Sequence, residues 1–285
     1  MTADPRPAGT LRPVGPDRLG LGEGARWNRS GVVLVDILAG RLLAVPDDPG
    51  APPRTVARLP VPSGAVAPVA GHSGTWTVAA GTGICPPHSD GTLDWAARPE
   101  ENARTRMRMN DAVADPFGPF WAGSTAYDAD EDAGSLYRLD RDGTVVRVLE
   151  GITVPNGPAF TPDGSLMYLA DSARGVVRRF HGDPVTAELG APEEFVWGTG
   201  TGTGTVRRHL PDGSPDRTPR LPARQPAGVC LAHDVLYVTT ARLGLAVPGH
   251  DDRALFAARV DGPGTPAPAC RLDVARHPAS TGDPA

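Results

Sequence analysis

The sequence predicts an all-β fold, a six-bladed β-propeller with an abbreviated fifth blade, from its composition and from two repeated strand patterns. The 285 residues include 35 glycines and 32 prolines but only 8 glutamates and 1 glutamine. Gly and Pro favour turns, whereas Glu and Gln favour helices. The composition therefore indicates many short strands joined by turns.

The first repeated pattern is a glycine followed by a strand of aliphatic and aromatic residues. It begins at Gly31, Gly74, Gly118 and Gly164, in steps of 43, 44 and 46 residues. A similar strand follows Asp234, after a step of 70 residues. Strands such as VVLVDI after Gly31 are apolar on both faces, as expected of sheets that stack between two neighbours.

The second pattern is a strand that ends in a polar turn, usually with an Asp-Gly pair. Its glycines are Gly50, Gly91, Gly143, Gly182, Gly213 and Gly262, in steps of 41, 52, 39, 31 and 49 residues. Six units of about 47 residues each match the length of propeller blades. We expect one domain over residues 11–272, with flexible tails at 1–10 and 273–285. A β-sandwich with chance spacing is the alternative.

The fifth unit is too short for a complete blade. The 31-residue step and the 70-residue step overlap between Gly182 and Gly213, and no glycine-led strand occurs near residue 208. The missing length is about 15 to 20 residues, roughly one hairpin. The Gly/Thr alternation after Trp197 predicts an edge strand or a linker, and no strand–GxGxxG–helix context makes it a phosphate loop.

Charge and composition exclude several functions. The net charge is −5 and no block of Arg alternates with aromatic residues, so nucleic acid is not an expected partner. All 28 basic residues are Arg, which excludes lysine Schiff bases and Ser–Lys catalysis. Neither a membrane span nor an apolar signal core is evident, so cytoplasm is the expected location. Three widely separated cysteines indicate reduced, mostly buried thiols.

Candidate site residues lie where the inner strands of different units begin. Glu23, Asn110 and Asn156 occupy matching places in three units, and equivalent loops of a propeller meet at its axis. Arg108 accompanies Asn110, and Asp128 follows the next strand. The alternatives are structural: a solvated turn acid at Glu23 and an Asn-Gly turn at Asn156.

Three aspartates have structural interpretations. Arg108 and Asp111 are three residues apart and could form a local ion pair, which would contribute little to stability. Asp36 and Asp171 each end an apolar strand, and we expect both to be hydrogen-bond anchors between blades.

Several motifs are similar to those of the senescence marker protein, gluconolactonase and luciferin-regenerating enzyme family, which includes regucalcin. They are GEGARW at 22–27, RMNDAVADPFGPFWAGS at 108–124 and ITVPNGPAFTPDGSLMYLADS at 152–172. A weaker match covers 227–242, and the resemblance extends over about residues 17–272.

The resemblance implies a six-bladed propeller that hydrolyses sugar lactones with one divalent cation at the axis. The cation is often Ca²⁺ in this family, and Zn²⁺, Mg²⁺ and Mn²⁺ are alternatives. By motif position, Glu23 and Asn156 match metal ligands, and Arg108, Asn110 and Asp128 match substrate-contacting positions. A third ligand, an Asp in a PDGxxxD stretch of blade five, falls in the missing segment. Asp212 belongs to the next turn and is not its equivalent.

Two functional hypotheses follow. The first is a lactonase with weakened cation binding. The missing Asp of blade five is also the family's usual candidate for the general base, so in this hypothesis Asp111 or Asp128 supplies an acid in its place. The second is a non-catalytic propeller that binds a sugar acid or lactone. The expected partner is a small molecule; no catalytic base and no oligomeric state can be assigned.

Overall fold

The chain is all-β and forms a propeller of sheets, as a computed structural model shows. The structure describes residues 10–28, 30–46, 51–86, 93–198, 203–242 and 245–273. The turn glycines Gly50 and Gly91 and nearly all of the expected tails lie outside the described residues, so the flexibility of the tails stays a prediction.

The strands are short and follow each other closely. In chain order they are β1 (Arg12–Pro13), β2 (Gly22–Trp27), β3 (Val32–Asp36), β4 (Arg41–Val45), β5 (Arg54–Arg58), β6 (Ser63–Val69), β7 (His72–Ala80), β8 (Gly83–Cys85), β9 (Met107–Ala114), β10 (Phe120–Ala126), β11 (Gly134–Leu139), β12 (Val145–Ile152), β13 (Pro155–Phe160), β14 (Leu166–Asp171), β15 (Val176–His181), β16 (Glu193–Trp197), β17 (Arg208–His209), β18 (Pro215–Arg217), β19 (Pro226–Ala232), β20 (Val235–Thr240) and β21 (Phe256–Arg259).

Five sheets of three or four strands are the blades. The first blade is β2–β5, the second β6–β8, the third β9–β12 and the fourth β13–β16, each ordered from its innermost strand outward. The last blade runs β19, β20, β21 and then β1. The propeller class is therefore confirmed, whereas the described residues contain five such blades and not the expected six.

The blades are apolar on both faces because each packs between two neighbours. In β10, Phe120 packs with Ala65 and Met109 toward the second blade, and the next residue, Trp121, packs with Met167 toward the fourth. Both aromatic side chains are fully buried. Alternate residues of a strand point to opposite faces, so consecutive apolar residues fill two cores at once.

The last blade joins the two ends of the propeller. Strand β1 pairs with β21, placing Arg12 opposite Ala257 and Pro13 opposite Phe256. Just beyond it, the amide of Val14 donates to the carbonyl oxygen of Leu255 over 2.7 Å. The chain segment before the first blade thus completes the last one.

A sheet of only two strands stands where the sequence predicts the fifth blade. Strands β17 and β18 flank the turn at Gly213 and pair as a short hairpin. No inner pair of strands precedes it in the described part of this segment, and residues 199–202 of the Gly/Thr stretch lie outside that part. Val229 of β19 is 52% exposed. The abbreviation of a fifth blade therefore stays a prediction.

Asp36 and Asp171 anchor the connections between blades, as predicted. Asp36 accepts hydrogen bonds from the amides of Gly20 and Leu21, which lead into the first blade. Asp171 accepts from the amides of Thr153 and Val154, which lead from the third blade into the fourth. Both carboxylates are buried.

The three cysteines are free thiols, which confirms the sequence interpretation. Cys85 and Cys270 are buried and Cys230 is half-buried. Burial raises the pKa of the Cys85 thiol to about 12. In the described ranges, no helix is long and apolar enough to cross a membrane.

Substituting Gly64 by Ala tests how closely the inner strands pack. A Cβ there would lie 2.1 Å from the carbonyl oxygen of Asn110, which is backbone and cannot move aside. We expect Gly64→Ala to lower the free energy of unfolding by about 3 kcal/mol, measured by chemical denaturation. Gly190→Ala is the control, since its nearest atom would be 3.4 Å away. Equal effects of the two substitutions would contradict the close approach.

Candidate functional site

The inner strands of the first, third and fourth blades are tied together at the axis by side-chain hydrogen bonds. The amide nitrogen of Asn110 in β9 donates to the carbonyl oxygen of Pro155 in β13 over 2.9 Å. Arg26 of β2 donates to the Asp111 carboxylate of β9 over 2.7 Å. These strands therefore bring the predicted site residues of three distant segments to one region.

Glu23 is a buried carboxylate that lacks a full set of partners. The residue is 8% exposed, and its Oε2 atom has no hydrogen-bond partner. Burial, and next the negative charge of Asp111, raise the pKa of Glu23 to about 8, while Arg26 and Arg108 act in the opposite direction. A buried oxygen without a partner is costly unless a ligand occupies it. Glu23 is thus a candidate cation ligand.

Asn156 lies in β13, beside the axis and half-buried. Its amide nitrogen donates to the hydroxyl of Ser172 over 3.3 Å, which directs the amide oxygen away from that residue. The next residue, Gly157, has a φ of 56°, a left-handed conformation that favours glycine. The Asn-Gly pair therefore forms a local bend in the strand, and the amide oxygen remains available as a neutral ligand.

Arg108 and Asn110 form a buried polar pair on one face of β9. Arg108 donates to the Asn110 side-chain oxygen over 2.7 Å and to the Met109 carbonyl oxygen over 3.0 Å. Both side chains are less than 10% exposed. Burial lowers the pKa of Arg108, and the nearby charge of Glu23 opposes this shift. Within the described ranges, no carboxylate lies at ion-pair distance from Arg108.

Asp111 pairs with Arg26 of another blade, so the predicted local ion pair with Arg108 is wrong. Its Oδ1 atom accepts from Arg26 and from the Ala112 amide, and its Oδ2 atom accepts from the Gly157 amide over 3.0 Å. Strand β9 has a bulge between the residues that pair with Ala122 and Ser124, so a simple strand period does not relate the side chains of residues 108 and 111. Nothing in the sequence identified Arg26 as the partner of Asp111.

Asp128 is not brought into the buried cluster. It lies exposed in the turn after β10. That turn is at the end of the blade where β9 begins, because Ala126 is paired with Met107. Asp128 thus stands at the rim of the region that contains Arg108, and its contact with substrate stays a prediction.

The donors at the axis suit a hard divalent cation. Carboxylate and amide oxygens, as at Glu23 and Asn156, are the ligands that Ca²⁺ and Mg²⁺ prefer. The unpartnered Oε2 atom of Glu23 is the observation that fits such an ion. Among the described residues, no three His, Cys, Asp or Glu side chains form a metal-binding group. Asp212 accepts from Ser214 within its own turn.

Comparison with known proteins agrees with the motifs. A family model described as SMP-30/Gluconolactonase/LRE-like region matches residues 21–199, more than half of the chain. The chain belongs to this family. The resemblance inferred from the motifs is thereby confirmed. The family match ends at residue 199, where the inner hairpin of a fifth blade is expected.

Individual members of the SMP-30/gluconolactonase/LRE-like family differ in how much they share with this chain. The 6-deoxy-6-sulfogluconolactonase of Pseudomonas putida is 30% identical over 277 residues, covering 87% of this chain and 94% of that enzyme. YvrE of Bacillus subtilis is 32% identical over 104 residues, so this chain spans only 35% of its length. The calcium-binding protein regucalcin of Agrobacterium tumefaciens has the same fold, with a TM-score of 0.82, 23% identity and coverage of 93% and 98%.

Proposed function

We propose that this protein is a divalent-cation-dependent hydrolase of sugar lactones. The P. putida relative, which aligns over nearly its whole length, is named as a lactonase, and this supports the reaction class. The buried and unpartnered Oε2 atom of Glu23 carries the proposal for the site. Glu23 and Asn156 would hold the cation, with Ca²⁺ as the first candidate and Zn²⁺, Mg²⁺ or Mn²⁺ as the alternatives.

The remaining side chains bind and orient the substrate. A bound cation supplies Lewis-acid polarisation of the lactone carbonyl and a more acidic water. Arg108 is a fixed donor to the sugar hydroxyls, because its bond to Asn110 holds the guanidinium in place. Asn110 is itself held by Pro155 of the fourth blade. Such positioning brings the ester carbon and the attacking water together at little entropic cost.

Neither candidate for the general base, Asp111 or Asp128, is a free carboxylate inside the buried cluster. The oxygens of Asp111 already accept from Arg26, Ala112 and Gly157, so Asp111 is engaged structurally. Asp128 is exposed in its turn at the rim. Loss of a general base typically lowers the rate about 10²- to 10⁴-fold. We therefore propose impaired turnover and weak cation binding, since Glu23 is the single acidic ligand of the proposed pair.

We further propose that β17 and β18 are the outer strands of an abbreviated fifth blade in a six-bladed propeller. They flank a polar turn at Gly213, as β11 and β12 flank the turn at Gly143. The turn at Gly213 lies against Phe195 of the fourth blade, and Leu221 packs with Phe256 of the last blade. The segment therefore occupies the position between those two blades.

The shortened unit supports a second candidate, a non-catalytic propeller that binds a sugar acid or lactone. It keeps Arg108 and Asn110 as the binding pair, while the described part of the fifth unit contains no inner hairpin to complete the site. This candidate predicts binding of gluconate without turnover of its lactone.

Removing and restoring the cation tests the proposed function. We expect chelator-treated protein to lose hydrolysis of glucono-δ-lactone in a pH-stat assay, and addition of Ca²⁺, Zn²⁺, Mg²⁺ or Mn²⁺ to restore it. Calorimetric titration should show one site per chain. Absence of both cation binding and hydrolysis would reject the lactonase, and calorimetry with gluconate would then test the non-catalytic binder.

A further inference from the structure

A cleft of about 340 Å³ opens at the end of the third blade where β9 begins. Its walls come from the turn between β7 and β8, from the segment before β9 and from the turn after β10. Its lining includes Thr82, Trp95, Arg104, Arg106, Met107 and Tyr127. The cleft therefore adjoins the strand that carries Arg108 and Asn110, at the rim of the axis site.

Two guanidinium groups of the cleft have no acidic partner. Across the described residues, no carboxylate lies at ion-pair distance from Arg104 or Arg106, both of which are exposed. Arg106 instead stacks on the ring of Tyr127, with 4.2 Å between the guanidinium carbon and the ring centre. Arg98, which also lines the cleft, differs because it pairs with Glu101 over 2.5 Å.

Most acidic side chains around the cleft already accept hydrogen bonds from other residues. Glu100 is buried and accepts from the hydroxyls of Ser124 and Tyr137. Glu101 accepts from Thr82 as well as from Arg98, and Asp130 accepts from the hydroxyl of Thr105. Asp128 is exposed in the turn after β10. Three arginines and two glutamates line the cleft, so its lining carries a net charge of +1.

One arginine of the cleft, Arg106, lies close in sequence to the arginine of the axis site, Arg108. Arg106 precedes Arg108 by two residues, so the two share one side of the chain, about 7 Å apart along the strand direction. Tyr127 stacks under Arg106 and directly follows Ala126, which pairs with Met107 between the two arginines. The carbon chain of a six-carbon sugar acid has a length comparable to this separation of about 7 Å between Arg106 and Arg108.

We propose that this cleft binds an anionic substituent of the substrate, so that the preferred substrates are sugar lactones with a phosphate, sulfonate or carboxylate remote from the lactone carbonyl. The inference rests on the proposed lactonase function. The lactone ring lies at Glu23, its hydroxyls reach Arg108 and Asn110, and the anion lies between Arg104 and Arg106. Planar guanidinium groups with free donors suit all three anions.

The experiment compares a neutral and an anionic lactone, glucono-δ-lactone and 6-phosphoglucono-δ-lactone. We expect kcat/KM to be at least ten-fold higher for the anionic lactone, with a preference that weakens as salt is added. The double variant Arg104→Gln/Arg106→Gln should lower kcat/KM for that lactone about 10- to 100-fold, mainly through KM, as expected for lost charge-assisted hydrogen bonds. A 6-sulfonate lactone then distinguishes a requirement for phosphate from one for any anion.

Arg58→Gln is the matched control, because Arg58 is an exposed arginine of β5 in the first blade. It should leave both rates unchanged. Equal kcat/KM values for the two lactones, or a double variant that affects both alike, would overturn the inference. If neither lactone is hydrolysed, the proposed lactonase function fails. Binding calorimetry then tests the anion-binding role of the cleft independently of hydrolysis. Tighter binding of 6-phosphogluconate than of gluconate, lost in the double variant, would support the cleft, and equal binding would reject it.

Discussion

Glu23→Gln is expected to eliminate cation binding and to lower kcat/KM for lactone hydrolysis by at least about 100-fold. The substitution keeps the shape of the side chain and removes only its charge. Changing a group one step removed from a metal typically costs 10- to 100-fold in affinity or activity, so loss of the single acidic ligand should cost at least as much. Calorimetric titration and steady-state rates of the variant, beside the native protein, measure the effect.

The same substitution should change how the cation-free protein responds to pH. The pKa of Glu23 is about 8 in the folded chain, against 4.5 for an ordinary glutamate, because the carboxylate is buried near Asp111. Between these two pH values the folded state holds a proton that the unfolded state has released. The free energy of unfolding of the native protein therefore falls as pH rises from about 4.5 to 8.

The Glu23→Gln variant cannot release that proton, so we expect its stability to vary less over this pH interval and to exceed that of the native protein at pH 8. Denaturant unfolding at pH 5 and pH 8, with a chelator present, measures the difference. Glu150→Gln is the control, since that side chain is 79% exposed. Identical pH dependence in all three proteins would show that Glu23 is not a strained buried acid.

The sequence allowed the propeller to be predicted because its repeats are local. Each blade depends on strands within about 45 residues of one another, and each turn carries its own glycine, as at Gly143 and Gly213. The prediction of a shortened fifth unit has the same basis, since a missing hairpin would change the spacing directly. The positions of Glu23, Asn110 and Asn156 followed from the equivalence of the inner strands.

The contacts between blades could not be predicted in this way. Arg26 and Asp111 are 85 residues apart, and nothing in either segment identifies the other as its partner. The lack of a hydrogen-bond partner for the Glu23 Oε2 atom results from how several strands pack at the axis, and the spacing of motifs in the sequence does not predict that packing. The exposure of Asp128 likewise depends on the turn after β10, so its motif position did not show that it lies at the rim.

Asp111→Asn is expected to lower the free energy of unfolding by about 3 kcal/mol, because it leaves the Arg26 guanidinium without a charged partner. The two side chains are only 14% and 8% exposed, so solvent screens the pair weakly. Asp111 also accepts from the Gly157 amide, next to the proposed ligand Asn156. We expect cation affinity to fall as well, as measured by calorimetry on protein that remains folded.

A second variant separates stability from the positioning of Asn156. The double substitution Arg26→Met/Asp111→Leu replaces the ion pair by apolar groups, which should recover part of the stability because no charge is left unpaired, although the Ala112 amide loses its acceptor. It removes the acceptor for Gly157, so cation affinity should stay low. Asp140→Asn, in the Arg138–Asp140 pair of the third blade, provides the control with unchanged affinity. If the double variant regains both stability and cation affinity, Asp111 acts only as the partner of Arg26; if it regains stability alone, Asp111 positions the amide ligand through Gly157.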